Sequence, residues 1–281
     1  MACSLRVPGC CSASPVEEAL LALQKPLRSS SSPGSAASSQ PRWLQPEGAF
    51  WTARRLAPWL LGGAVGLCAG GFAIGFLLVG TDFRHGDAFR IIYIHVPATW
   101  VALFVYALFA VWSGLALLAR MKLAPMMTEA LAPTGALFAL LALWTGSLWG
   151  KPVSGLWWDW DARRITDLAL LSLFVASMVV REVVDDTPRA DRITAGLALA
   201  GAVVVLTALS SVAVLPQSGG QHGGYPAGGS GQQGRLLGAL AAVAAGFALY
   251  ACAAVLTRLR CVILERERAA AWVAERAADE R

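Results

Sequence analysis

Residues Trp149 to Arg163 read WGKPVSGLWWDWDAR, a Gly- and Pro-containing segment between two strongly apolar runs. It gathers four tryptophans (Trp149, Trp157, Trp158 and Trp160) with Asp161 and Arg163. Tryptophan is costly to leave in water, and its indole sits well where one end is apolar and the other wet. Four of them around a polar turn exceed what interface anchoring requires. They predict a flat, amphipathic platform for a large planar ligand that is greasy on its faces and charged at one edge, which is the shape of haem. The plainer alternative is a dense aromatic belt at a membrane surface.

The residues that could complete such a site are few. The chain has three histidines, His85, His95 and His222. Imidazole is the commonest axial ligand of haem iron, and two on opposed loops would give bis-histidine ligation. For a lone interfacial histidine, ordinary solvation is the default. His95 precedes Pro97, which favours an extended or turn conformation just before it, so the ring is expected where a helix begins. Arg163 and Arg164 could each hold a propionate, because guanidinium grips carboxylate in a two-pronged fork. Asp161 would orient Arg163 or cap the helix that follows. Gly150 and Gly155 would allow a tight backbone path, and Pro152 would fix a turn.

The elements that must position these groups are membrane helices. Of the 281 residues, 56% are hydrophobic and 15% charged, with mean hydropathy +0.56; a soluble domain carries about a quarter charged residues. Six apolar runs follow one another: 56–80, 91–118, 130–148, about 165–184, 193–215 and 236–256. Each can cover the ~30 Å of a hydrocarbon core, which takes about 20 helical residues. The fold class is therefore all-α, a polytopic membrane protein of six transmembrane helices. The fourth run is the weakest, since it includes Asp167, Arg181 and Glu182. Lysine and arginine concentrate before the first run, between two and three, between four and five, and after six, which puts both termini inside. The tryptophan segment and all three histidines then share the outer face.

Residues 1–48 differ in character. The tract SSSSPGSAASSQP cannot build a core, and Arg6, Lys25, Arg28 and Arg42 outnumber the acids. This predicts an organellar transit peptide, with a disordered bacterial extension as the alternative, followed by a membrane domain over 49–272 and a charged tail over 273–281. The net charge of +5 is scattered among loops without an aromatic-interleaved patch, so lipid rather than nucleic acid is the expected surroundings. The six cysteines show no metal-ligand spacing, and no CxxCH is present. No nucleophile–base pair or phosphate-binding glycine loop occurs, so no enzyme is expected.

The motif WGxPxxGxWWxWDxR resembles the "WWD" signature of haem-handling proteins in cytochrome c biogenesis. FRIIYIHVPATW (89–100), MKLAPMMTEALAPTGALF (121–138) and TGSLWGKP (145–152) narrow the resemblance to the CcmC family, haem exporter protein C. That resemblance implies transient binding of b-type haem by Trp149, Gly150, Trp157, Trp158, Trp160, Asp161 and Arg163, with His95 and His222 as axial ligands. It also implies presentation of haem to the membrane-anchored chaperone CcmE, and association with the ABC-type components CcmA and CcmB. His95 matches the family's HVP context, whereas His222 matches by location only. The family's last outer loop carries a Trp pair followed by TLHQ, and this chain has Gln221–His222 among glycines. Ser154 also stands where a further Trp is usual. The implied setting is the mitochondrial inner membrane with the WWD loop toward the intermembrane space, or alternatively a bacterial inner membrane. A permease subunit of an ABC-type exporter, moving haem or another solute, is the competing function. It is disfavoured because the spans are poor in midplane charge.

Overall fold

The computed structural model describes residues 45–79, 87–119, 121–214, 230–270 and 272–273. His85, His222 and the transit-peptide expectation for residues up to 44 lie outside them. Six long helices follow in order: α1 (Pro46–Ala73), α2 (Ile92–Leu118), α3 (Leu123–Ser154), α4 (Ala162–Val183), α5 (Thr187–Val214) and α6 (Ser230–Arg266). A π-helical turn, Ile74–Leu78, extends α1, and a 3₁₀ turn, Asp87–Ile91, leads into α2. Among the described residues all regular structure is helical, as an apolar surrounding demands, because a helix satisfies its backbone internally.

Among the described residues, four segments are long and apolar enough to cross a membrane: Pro46–Leu78, Asp87–Leu118, Leu123–Pro152 and Gln233–Arg266. Their outward faces carry large apolar side chains bare to the surroundings, with Trp59 82%, Leu77 80% and Leu118 87% exposed. A soluble chain would not leave such a surface uncovered. Helix α3 begins seven residues before the apolar run at Ala130, because Met126, Met127, Glu129 and Ala130 are good helix formers. The weak fourth run does form a helix, and its polar members explain why. Arg164, Thr166 and Asp167 lie buried between helices rather than against lipid.

The sixth helix packs along α1 and also touches α2 and α3, while α4 lies between α3 and α5, and α5 returns onto α2. Tight spots fix these pairings. A Cβ on Gly246 would come within 2.5 Å of the Cys68 sulfur, so α1 and α6 approach almost backbone to backbone there. Tyr106, Phe109 and Phe174 meet with ring centroids 5.4–5.9 Å apart, joining α2 to α4. The Tyr106 hydroxyl donates to the Ala198 carbonyl of α5 at 2.9 Å.

The end of the bundle away from the tryptophan segment is tied by charge. Arg266 of α6 donates from Nε to Glu129 of α3 at 2.9 Å and from Nη1 to Asp191 of α5 at 2.8 Å. Arg181 of α4 reaches the same Asp191 carboxylate at 2.6 Å. Four helices thus share two arginines and two acids, and each side chain is largely buried. The cluster borders a cavity of about 860 Å³, room for many waters at ~30 Å³ each, so protons reach it from solution. Asp191 stands just before the apolar run of α5. Burial pushes its carboxyl up, but the hydrogen bond and charge of Arg266, with Arg181 after it, outweigh that and hold it below the ordinary carboxylate range.

A carboxyl depressed in the folded state contributes stability above its unfolded value of about 3.9 and loses it as pH falls through the folded value. The detergent-solubilised protein should therefore melt at lower temperature as pH drops from about 5 to about 3. Arg266→Met leaves Glu129 and Asp191 to share Arg181 alone and should cost about 3 kcal/mol in chemical unfolding. It should also weaken the acid dependence, since Asp191 loses the larger of the two groups that depress it. Wild-type stability unchanged below pH ~4 would contradict this account.

Candidate functional site

The tryptophan segment is built by a helix end and a helix start. Helix α3 stops at Gly155, whose φ of 78° is the left-handed conformation glycine adopts without a Cβ penalty. Its N–H donates to the Lys151 carbonyl at 3.1 Å, and Lys151 Nζ donates back to the Gly155 carbonyl at 3.0 Å. Pro152 lies within the last turn of α3 instead of making a turn of its own. Six residues later α4 starts, with Asp161 as its N-cap: Oδ1 accepts the Arg164 backbone N–H at 2.8 Å. Of the two roles expected of Asp161, the geometry shows the cap.

The four tryptophans divide. Trp149 belongs to α3 and meets Phe89 edge-on with centroids 6.3 Å apart, beside a small buried cluster that includes Tyr93 and Leu236. Trp157 is 57% exposed, with the Lys151 ammonium 5.7 Å from its ring centroid. Trp158 and Trp160 stand perpendicular, at an interplanar angle of 83° and 5.4 Å apart. The expected single flat platform is therefore absent from this arrangement. Edge-to-face contact is the favoured geometry of neighbouring rings, and it leaves Trp160 71% exposed.

The two arginines also part company. Arg164 is buried, and its Nη1 donates to the Asp159 carbonyl at 3.3 Å, with the Asp159 carboxylate 3.8 Å away. A Cβ on Gly150 would fall 2.3 Å from Arg164 Nη2 and 3.0 Å from the Leu156 carbonyl oxygen. Gly150 thus makes room for the guanidinium that holds the loop, and Arg164 is the loop's internal tie. Arg163, the residue before it, is half-buried. It remains the candidate for a ligand carboxylate.

His95 lies in the first turns of α2 and is buried. The helix runs through Pro97, where a turn was expected. Proline removes one backbone bond, to the Tyr93 carbonyl, and burial of Tyr93 before it and of Ala98 and Val101 after it outweighs the loss. His95 Nδ1 is 3.1 Å from the Ala142 carbonyl oxygen and 3.2 Å from Thr145 Oγ1, both on α3. A carbonyl only accepts, so Nδ1 carries the proton and Nε2 keeps the lone pair that binds metal. The ring lies so close to α3 that a Cβ on Gly146 would come within 3.1 Å of its Cε1. Gly146 and Gly150 are one helical turn apart on α3, about 6 Å. One helix therefore carries the support of the histidine and the root of the tryptophan segment.

The donor set fits haem: an imidazole held by its far nitrogen, exposed indoles for the macrocycle faces, and an arginine for carboxylate. His222, the other expected ligand, lies outside the described residues. Reading the chain had not singled out Thr145 or Gly146. Their signal was present in TGSLWGKP, but which residue meets His95 depends on how α2 and α3 cross.

Gly150→Ala should push a methyl into the Arg164 guanidinium and the Leu156 carbonyl, displacing residues 156–161 at a cost of about 1–3 kcal/mol. The measurement is tryptophan emission and its quenching by a soluble quencher. Gly62→Ala, which has nothing within 4 Å of the added methyl, should leave both unchanged. Equal spectra for the two variants would refute the Gly150–Arg164 contact.

The sequence profile of the family described as "CcmC: Heme exporter protein C" matches residues 40–274. A protein named Heme exporter protein C from Escherichia coli (strain K12) is 41% identical over 146 residues, 52% of this chain and 60% of that protein. Its namesake in Bradyrhizobium diazoefficiens is 40% identical over 149 residues, 53% of this chain and 56% of its own length. The Paracoccus denitrificans protein of that name is 35% identical over 173 residues, 62% of this chain and 70% of its own. The aligned stretch thus spans about 60% of the E. coli relative. With the profile covering most of its residues, this chain belongs to the CcmC family, haem exporter protein C.

Proposed function

We propose that this protein holds haem at the outer face of its membrane and presents it to the haem chaperone CcmE during cytochrome c maturation, alongside the ABC-type components CcmA and CcmB. The observation that carries the reading is His95: α3 takes the proton of its Nδ1, and the same helix ends, between two and three turns later, at the loop that bears the exposed tryptophans. Haem supplies the electrophilic iron and the apolar disc, and this chain supplies the rest. His95 offers Nε2, Trp157, Trp158 and Trp160 offer apolar surface, and Arg163 offers a fork for propionate. Trp149, Gly150 and Asp161 act at one remove, since they seat α3, admit Arg164 and cap α4. His222 would supply the second axial nitrogen. Such a site holds and orients without breaking bonds, which suits b-type haem kept for transfer.

The orientation proposed is both termini inside and Trp149–Arg164 outside. The ends of α1, α3, α5 and α6 that share the ionic cluster's side also carry Arg54, Arg55, Lys122, Arg189, Arg192, Arg258 and Arg260, as the positive-inside tendency requires. The compartment proposed is the mitochondrial inner membrane, on the composition of residues 1–48. The bacterial sources of the relatives make a bacterial inner membrane the alternative.

Purified with bound haem, the wild-type chain should show an absorption spectrum that His95→Ala loses, by roughly 10–100-fold in retention. His85→Ala should leave haem content unchanged, and His222→Ala should have an intermediate effect. A chain that keeps its haem without His95 but loses it without His85 would overturn the ligand assignment.

Topology is tested by single cysteines at two exposed positions, Ser154 and Lys122. An impermeant thiol reagent applied from the outer side should label Ser154→Cys and spare Lys122→Cys. The opposite pattern would invert the proposed orientation.

A further inference from the structure

We infer that Thr145 is a positioning residue for the His95 imidazole: its hydroxyl oxygen, with the Ala142 carbonyl, takes the Nδ1 proton and so reserves Nε2 for iron. The inference rests on the proposed reading of His95 as haem ligand. A single backbone carbonyl would satisfy a buried histidine, so the arrangement exceeds what core packing needs. The Ala142 oxygen at 3.1 Å already accepts the one Nδ1 hydrogen. Thr145 Oγ1 adds a second acceptor at 3.2 Å.

The direction of that second bond follows from where the hydroxyl hydrogen goes. Thr145 has one hydrogen to give, and its shortest contact is the Leu141 carbonyl at 2.6 Å, against 3.2 Å to Ala142. With the hydrogen committed to Leu141, Oγ1 turns a lone pair toward His95. Both acceptors then face one nitrogen, and the tautomer with the proton on Nε2 would confront two lone pairs with a third. Gly146 completes the device by letting the ring lie within van der Waals reach of α3, where a methyl would meet Cε1 at 3.1 Å. An imidazole whose Nδ1–H is donated twice is a more basic ligand through Nε2, which favours ferric over ferrous iron.

Two readouts test this, one without haem. In the full-length apoprotein labelled with ¹⁵N-histidine, and with His95→Ala for assignment, His95 should be protonated on Nδ1. Thr145→Val should raise a population protonated on Nε2. Haemin titrated into the same detergent-purified variant should bind about tenfold more weakly, the low end for a lost supporting contact because the Ala142 carbonyl remains. The midpoint potential of the bound haem should rise. Thr145→Ser, which keeps the oxygen, should restore tautomer, affinity and potential together. Should valine prevent folding, Thr145→Ala removes the same oxygen with less bulk and carries the same expectation.

A wild-type apoprotein protonated on Nε2, or a Thr145→Val protein with unchanged tautomer and potential, overturns the inference. If Thr145→Val shifts the apo tautomer while His95→Ala still retains haem, the hold on the ring stands and the ligand reading fails.

Discussion

The close approach of α2 to α3 at Gly146 is the contact on which the tryptophan-bearing end of this protein depends. The His95 ring occupies space that any side chain on residue 146 would claim. Because Ala142 and Thr145 are on the same helix, the ring is fixed to α3 rather than to its own backbone alone. Four residues further on, Gly150 yields its side-chain space in the same way, this time to Arg164. Helix α3 thus works as a rigid rod with two notches. One seats an imidazole from α2, and the other seats a guanidinium from α4 that secures the tryptophan segment.

A second constraint governs the rest of the bundle, which is that polar atoms among apolar helices need partners close at hand. Several hydroxyls meet it within their own helix. Thr99, Thr128, Ser147, Thr166, Ser172 and Thr257 each donate to the carbonyl four residues back. Charged groups meet it by gathering at the ends. Arg164 lies under the tryptophan loop, while Arg181, Arg266, Glu129 and Asp191 meet at the opposite end. The middle of the bundle is left to Tyr106, Phe109, Phe174 and their apolar neighbours. This division lets α4 lie in the bundle despite its charges, for its arginines serve at either end.

The tryptophan segment combines two demands. Trp149 and Trp158 are partly withdrawn into the protein, whereas Trp157 and Trp160 stay open. On the proposed reading, a surface that takes up a large apolar disc and releases it needs exposed indoles on a backbone that does not collapse over them. Gly155, the Asp161 cap and the Arg164 tie provide that backbone without using the exposed rings.

What could be read from the chain by itself was whatever depends on neighbours in sequence. Six apolar runs gave six helices, Asp161 before a helical run gave a cap, and the spacing of the motifs gave the family. Those features rest on helix period, capping chemistry and apolar length, all local. The division of labour between Arg163 and Arg164 was beyond reach, because only the crossing of α3 and α4 decides which guanidinium meets Gly150. The same holds for Trp149, one tryptophan among four in the sequence, which Phe89 draws into a buried cluster. His95 was recognisable as a candidate, but its tautomer was not, since a residue 47 positions away supplies the carbonyl that fixes it. Contacts between residues distant in the chain are set by how helices pack, and no local pattern encodes which atoms will meet.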